Sequence, residues 1–263
     1  MPSSALYVAR TGLQAQDTRM QVISNNLANV STTAFKRERA NFSTLAYQDA
    51  RVAGQQSSNE TTYATGINLG TGVTVQATST DMTQGTLTST GGALDLGISG
   101  DGYFQVTLPS GQTGYTRAGN FTTSSEGQLV TAQGYVVQPQ ITIPQGAGSI
   151  TVAQDGTVSA TLQGASAPTT LGQITTATFA NPAALQATND NFYLETGGSG
   201  TPQVGAAGLV GHGIIQQGYL ESSNVSVVTE LVDMIECQRA YEVNSKVVSA
   251  VDDMLKNANQ SLT

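Results

Sequence analysis

The chain is 263 residues long, carries a net charge of −8, and only 11% of its residues are charged. It contains no Trp, one Cys and one His. This balance excludes a nucleic-acid binder, which needs clustered Lys and Arg against phosphate. It also excludes a disulfide framework and a helical membrane span, because no run of about 18 apolar residues occurs.

Residues 5–30 predict a helix. Leu6, Leu13, Met20 and Leu27 recur every seven residues, with Ala9, Ile23 and Val30 at interleaved positions and polar Gln16 interrupting. Near its end Asn25, Asn26 and Asn29 crowd together. Asn competes for backbone hydrogen bonds, so three so close indicate either a fraying helix end or a face that binds another chain through amides. Ser31-Thr32-Thr33 then break the helix before Phe35-Lys36-Arg37.

Residues 43–80 begin polar and aperiodic, notably in the run Gly54 to Glu60, and alone would lack the apolar area to offset ordering. From Gly66 an alternation suited to a strand sets in, with Val73-Thr74-Val75. Short strands separated by Gly-rich turns follow: Leu94–Ile98, Tyr103–Leu108, Gln128–Val130, Tyr135–Val137, Ile150–Val152 and Ile174–Phe179. Asp155-Gly156 reads as a hairpin turn. With no helical period between them, these strands indicate an antiparallel β-region.

A second helix should run from a cap at Ser222, Ser223 or Asn224 to about Asn259. Val227, Met234, Tyr241, Val248, Leu255 and Leu262 recur every seven, flanked by Leu231, Ile235 and Val251, with Gln238, Ser245 and Asp252 as polar interruptions. The two stripes predict a coiled-coil pairing of the chain ends, which requires the middle to fold back; the simpler alternative is an ordinary two-helix hairpin on a globular core. Charge agrees with pairing. Residues 1–40 hold five cations against Asp17 and Glu38, and residues 221–263 hold three cations against seven acids. The fold class is thus α+β. Residues 1–35 with 222–263 form a helical core domain, 36–80 an extended insert with a β-hairpin, and 81–221 a β-rich outer domain.

The sequence holds no catalytic constellation. His212 stands between Gly211 and Gly213 with no Cys or acid near it in sequence, which supports neither a zinc site nor a nucleophile's base. The Gly97, Gly100, Gly102 turn precedes a strand, whereas a phosphate cradle needs a helix N-terminus. Asp95 and Asp101 sit in a strand and its turn, not in a glycosidase-like acid pair. Cys237 reads as a small helix-packing residue. The first 30 residues lack the basic and apolar regions of a secretory signal. No enzyme activity, cofactor or metal is expected.

Several stretches are recognisable together. Ser24-Asn25-Asn26-Leu27-Ala28-Asn29-Val30-Ser31-Thr32-Thr33-Ala34-Phe35-Lys36 resembles the N-terminal signature of the bacterial flagellar axial proteins of the rod and hook. Glu221-Ser222-Ser223-Asn224-Val225 and Met234 through Glu242 are similar to their C-terminal motif. Gln84-Gly85-Thr86-Leu87, Leu94 through Phe104, and Tyr115-Thr116-Arg117-Ala118-Gly119-Asn120-Phe121 are similar to the family's central motifs.

Within the family, the length and the polar insert at about 46–66 are most similar to subunits of the distal rod. The resemblance implies a non-enzymatic structural subunit, exported unfolded without a cleaved signal peptide and assembled into a homopolymer. Its terminal helices would order on assembly and line a hollow helical shaft in the basal body, spanning the periplasm and transmitting torque to the hook. Implied partners are the proximal rod and hook proteins, the rod cap, the surrounding envelope rings and the export apparatus, with no nucleic acid and no small-molecule substrate. A rival of another class is a secreted β-rich adhesin, which would need an aromatic-lined groove. The expected packing residues are Leu6, Leu13, Met20, Ile23, Asn25, Asn26, Leu27, Asn29, Val30, Leu231, Met234, Ile235, Gln238, Tyr241, Val248 and Leu255.

Overall fold

The computed structural model describes residues 2–56, 62–162 and 167–260. The protein is α+β: a long helix at either end, and strands between them. Its chain divides into two compact units. The first comprises Met1–Ala28, Glu38–Ser79 and Ser226–Thr263, and the second Asn29–Arg37 and Thr80–Val225.

In the first unit, helix α1 (Pro2–Ala28) packs against helix α2 (Val227–Gln260). Pro2 suits the first turn, where a backbone N–H has no helical partner. Contacts along the pair proceed in opposite chain directions. Asn26 meets Glu230, Arg19 meets Asp233, Gln16 meets Cys237, and Gly12 faces Asn244. The helices are therefore antiparallel. α2 begins after Ser226, whose carbonyl accepts the Glu230 N–H at 3.0 Å. The expected cap at Ser222, Ser223 or Asn224 lies upstream of this start, because Asn224 is engaged elsewhere. Leu262, the last stripe position, lies outside the described residues, as do Ser57 to Glu60 of the insert.

Four strands complete this unit. β1 (Glu38–Thr44) pairs with β4 (Val73–Thr80), and β2 (Tyr47–Arg51) pairs antiparallel with β3 (Ile67–Gly70), bulging between Asp49 and Arg51. The β3–β4 turn touches α1 where Thr11 Oγ1 accepts the Val73 N–H at 3.4 Å. Gly72 makes that approach possible: its φ is +121°, and a Cβ there would lie 2.3 Å from Thr11 Oγ1.

The second unit holds β5 (Leu87–Ser89), β6 (Leu96–Ser99), β7 (Tyr103–Thr107), β8 (Thr113–Thr116), β9 (Thr122–Thr123), β10 (Leu129–Val130), β11 (Val137–Gln138) and β12 (Ala147–Val152). After them come β13 (Thr157–Leu162), β14 (Thr169–Gln173), β15 (Thr175–Thr178), β16 (Gln186–Ala187), β17 (Tyr193–Leu194), β18 (Gln203–Ala206), β19 (Ile214–Gln217) and β20 (Tyr219–Glu221). The largest sheet runs β16-β17-β8-β7-β15-β18, with β11 also on β7. β12-β13-β14 form a second sheet, while β19–β6, β20–β5 and β10–β9 are ribbons. The pairings are antiparallel, as the strand spacing predicts.

Leu96, Ile98, Phe104, Val106, Val137, Ile174 and Ile215 are almost wholly buried in one core. A smaller cluster sets Tyr103 edge-on to Phe179 and Tyr193, with ring centroids 5.9 and 6.0 Å away. Asp155-Gly156 is the β12–β13 turn: the Asp155 carboxylate accepts the Thr157 N–H at 2.9 Å and Gly156 has φ +86°.

Candidate functional site

The recognisable stretches of the sequence converge on one buried carboxylate. Glu221, the last residue of β20, is 1% exposed. Its Oε1 accepts from Lys36 Nζ at 2.5 Å and from the Gly85 N–H at 2.9 Å; its Oε2 accepts from Arg117 Nε at 2.8 Å. Lys36 Nζ also donates to the Thr83 carbonyl at 2.7 Å, and the Arg117 guanidinium donates to the Gly100 carbonyl at 2.7 Å. The same guanidinium lies over the Tyr103 ring, 5.7 Å from its centroid. Lys36 and Arg117 are 2% and 4% exposed.

Two cations against one carboxylate leave this site with an excess positive charge, which backbone carbonyls and an aromatic face help to solvate. Burial is the leading influence on Lys36 and pushes its ammonium below the ordinary lysine value, with Glu221 opposing that shift. Burial also pushes the Tyr103 phenol up to about 12.

Close backbone packing surrounds these ions. A Cβ on Gly85 would meet the Ser222 carbonyl at 2.0 Å, and one on Gly119 the Leu96 carbonyl at 1.7 Å. Gln84 clamps the neighbouring turn, donating to the Ile98 carbonyl at 2.9 Å and accepting the Gly100 N–H at 2.9 Å. Asn224 accepts the Arg37 N–H at 2.7 Å and donates to the Asp81 carbonyl at 2.9 Å.

The expected packing residues fall into distinct environments. Ile23 and Asn26 are buried, while Leu6, Leu13, Met20 and Leu27 are half-buried along α1. Asn26 satisfies both backbone groups of Glu38, accepting its N–H at 2.9 Å and donating to its carbonyl at 2.8 Å, and also donates to buried Glu230 at 3.2 Å. Asn29 and Val30 are half-buried in the second unit, and Asn25 is exposed. On α2, Met234, Val248 and Leu255 are half-buried, whereas Leu231, Ile235, Gln238 and Tyr241 are exposed.

Polar residues occupy the face of α2 turned toward α1. Glu230 is 0% exposed, Cys237 donates to the Gln16 carbonyl at 3.1 Å, and Asn244 sits against Gly12. Burial raises the Cys237 thiol above its ordinary value, which keeps it an unreactive packing group. The outward face of the first turns carries Val228, Leu231, Val232 and Ile235, at i, i+3, i+4 and i+7, and each is 43–73% exposed. α1, the β2–β3 hairpin and α2 also frame an open groove of about 1290 Å³ lined by Tyr7, Val8, Leu69 and Val247.

His212 makes a structural contact, its Nδ1 lying 2.9 Å from Thr176 Oγ1. Among the described residues no group of His, Cys, Asp and Glu is arranged to hold a metal, and no helix is long and apolar enough to cross a membrane.

The two long helices leave apolar side chains uncovered, as a subunit that packs against other chains would. The family described as flagella basal body rod protein matches residues 6–36. The flagellar hook protein FlgE/F/G D1 domain matches 97–160, and the flagellar basal body rod FlgEFG protein C-terminal domain matches 216–261. The flagellar basal-body rod protein FlgG of Buchnera aphidicola subsp. Acyrthosiphon pisum is 48% identical over 97% of this chain and 98% of its own length. In Caulobacter vibrioides, FlgG is 48% identical over 97% of this chain and 98% of its own, against 34% for FlgF over 98% of both. The chain belongs to the flagellar basal-body rod protein family, as a structural subunit of the distal rod and not an enzyme.

Proposed function

We propose that this subunit polymerises with copies of itself into the hollow helical shaft that carries torque through the periplasm from motor to hook, contacting other axial proteins and the surrounding envelope rings. The helices lying within residues 1–35 and 222–263 form the inner core as a coiled coil, the segment 36–80 bridges neighbouring copies, and residues 81–221 face outward. The carrying observation is the uncovered Val228-Leu231-Val232-Ile235 face, an apolar helical stripe that a lone chain leaves in water. The open groove beside the β2–β3 hairpin is a second surface for the same purpose.

Export without a cleaved signal, with the terminal helices ordering on assembly, completes the reading. Ordering on binding lowers affinity per unit area but lets a large surface be wrapped. Deleting the gene and imaging isolated basal bodies by electron microscopy tests the placement. A short rod stump without outer rings or hook is the expected result; intact flagella would overturn it. Slow amide exchange in both helices of the free subunit would overturn the ordering step alone.

A further inference from the structure

The segment Asn29–Arg37 belongs to the second unit although it is distant in sequence from the rest of that unit, residues 80–225. It lies there in the manner of a bound peptide. The Ala34 N–H donates to the Glu221 carbonyl at 2.8 Å, the Arg37 carbonyl accepts the Asp81 N–H at 2.7 Å, and the Thr33 carbonyl accepts from Asn191 Nδ2 at 3.0 Å. Asn224 adds two bonds, accepting the Arg37 N–H at 2.7 Å and donating its own N–H to the Phe35 carbonyl at 3.4 Å. Two side chains of the segment are buried: Ala34, 1% exposed, and Lys36, 2% exposed.

The Glu221 carboxylate is satisfied without the segment. Glu221 keeps Arg117 Nε on one oxygen and the Gly85 N–H on the other, so the carboxylate stays hydrogen-bonded and charge-balanced when Lys36 is absent. Lys36 has no such independence. Among the described residues its hydrogen bonds go to Glu221 and the Thr83 carbonyl, and both belong to the receiving surface. The ion cluster therefore divides into a preformed Glu221–Arg117 pair and an incoming ammonium.

We propose that residues 80–225 carry a built peptide-binding site whose ligand is the chain's own segment 29–37, with Lys36 as the anchoring cation in a pocket floored by Glu221. The segment is a latch: it docks onto a β-fold that stands without it, and backbone pairing supplies the affinity while the buried ammonium supplies specificity. Since this segment and Ser222–Val225 lead directly into the two terminal helices, the latch fixes where both chain ends leave the second unit.

The test compares the full-length chain with its Lys36→Met variant by hydrogen exchange. Amides of Ala34 and Arg37 should exchange at least about tenfold faster in the variant, while those of β7 and β8 keep their protection. A synthetic peptide of residues 29–37 should then bind the variant saturably, and the unaltered chain, whose site is filled, should not bind it. Asn191→Gly, which removes only the side chain holding Thr33, should speed the same amides to a smaller degree. Unchanged exchange at Ala34 in both variants would overturn the proposal. Joint loss of latch and β7 protection in both would also overturn it, by making the segment an integral part of the β-fold. An open latch that fails to bind the peptide would do the same.

Discussion

Glu221 Oε2 accepts a hydrogen bond from Arg117 Nε at 2.8 Å, with the two side chains 0% and 4% exposed. Removing one partner of such a pair is costly because the survivor keeps its desolvation penalty without its compensation. Glu221→Gln keeps the shape but leaves Arg117 and Lys36 as two buried cations without a carboxylate. The loss should be about 3–5 kcal/mol of unfolding free energy. Lys36→Met should cost distinctly less, since it leaves a balanced pair. Urea denaturation of both variants checks the order, and a larger loss for Lys36→Met would refute it.

Gly119 carries a second, purely steric requirement. The Leu96 N–H bonds to the Gly119 carbonyl at 2.9 Å, and a Cβ on Gly119 would lie 1.7 Å from the Leu96 carbonyl. Gly119→Ala must therefore separate β6 from the loop that carries Arg117, opening the aromatic contact between Phe104 and Phe121, whose centroids are 5.0 Å apart. We expect a destabilisation of more than about 3 kcal/mol, beyond the usual range for point changes. Gly134→Ala serves as control: nothing lies within 4 Å of its Cβ, and only its φ of +90° is strained, at about 1 kcal/mol. Equal melting temperatures for the two variants would contradict this.

Much of the fold is legible in the sequence, and the reason is periodicity. The strands around Val152 and Val158 bury alternate residues, the strand around Phe104 and Val106 is buried on both faces, and all are flanked by Gly turns, so pattern and punctuation agree. β2 and β3 are exposed along nearly their whole length, and a strand with no buried face has no alternation to detect. The α1–α2 contact is partly hidden for a related reason. Apolar counting follows Leu231 and Ile235, while the residues turned toward α1 include Glu230, Cys237 and Asn244. The ion cluster escapes sequence reasoning altogether because Lys36, Arg117 and Glu221 are far apart in the chain. One signal was available: in a chain so poor in charge, Arg117 stands alone between Thr116 and Ala118, where an isolated cation among small residues suggests burial.

Acid should weaken the second unit through two carboxylates. The hydrogen bond from the Thr83 N–H, 3.0 Å from Asp81 Oδ1, holds Asp81 below its ordinary 3.8, and the Thr157 N–H does the same for Asp155. A carboxyl whose folded pKa is depressed binds fewer protons in the folded than in the unfolded state. Its stabilisation is fully present above the unfolded value and is lost as pH falls through the folded one. Stability of the second unit should thus decline below about pH 4. Asp155→Asn keeps the acceptor but removes the titration, so the variant's urea midpoint should fall less between pH 5 and pH 2. Parallel curves for the variant and the unaltered chain would exclude this carboxylate as a contributor.

Leu231 separates folding from assembly. It is 43% exposed on α2, beside Val228, Val232 and Ile235, on the face proposed above to be covered by a neighbouring copy in the rod. Leu231→Asp should leave the free subunit's unfolding free energy within about 0.5 kcal/mol, as for other surface substitutions. In an assembled helical core the same carboxylate would be buried without a partner, at a cost of several kcal/mol per subunit. Each copy in a polymer pays that penalty, so a tolerable defect in one interface becomes prohibitive over many. The variant should fold, with β-unit exchange unchanged, yet fail to build a rod when it replaces the natural gene. Normal rods assembled from Leu231→Asp subunits would show that this face stays in water and that the helices pack through another.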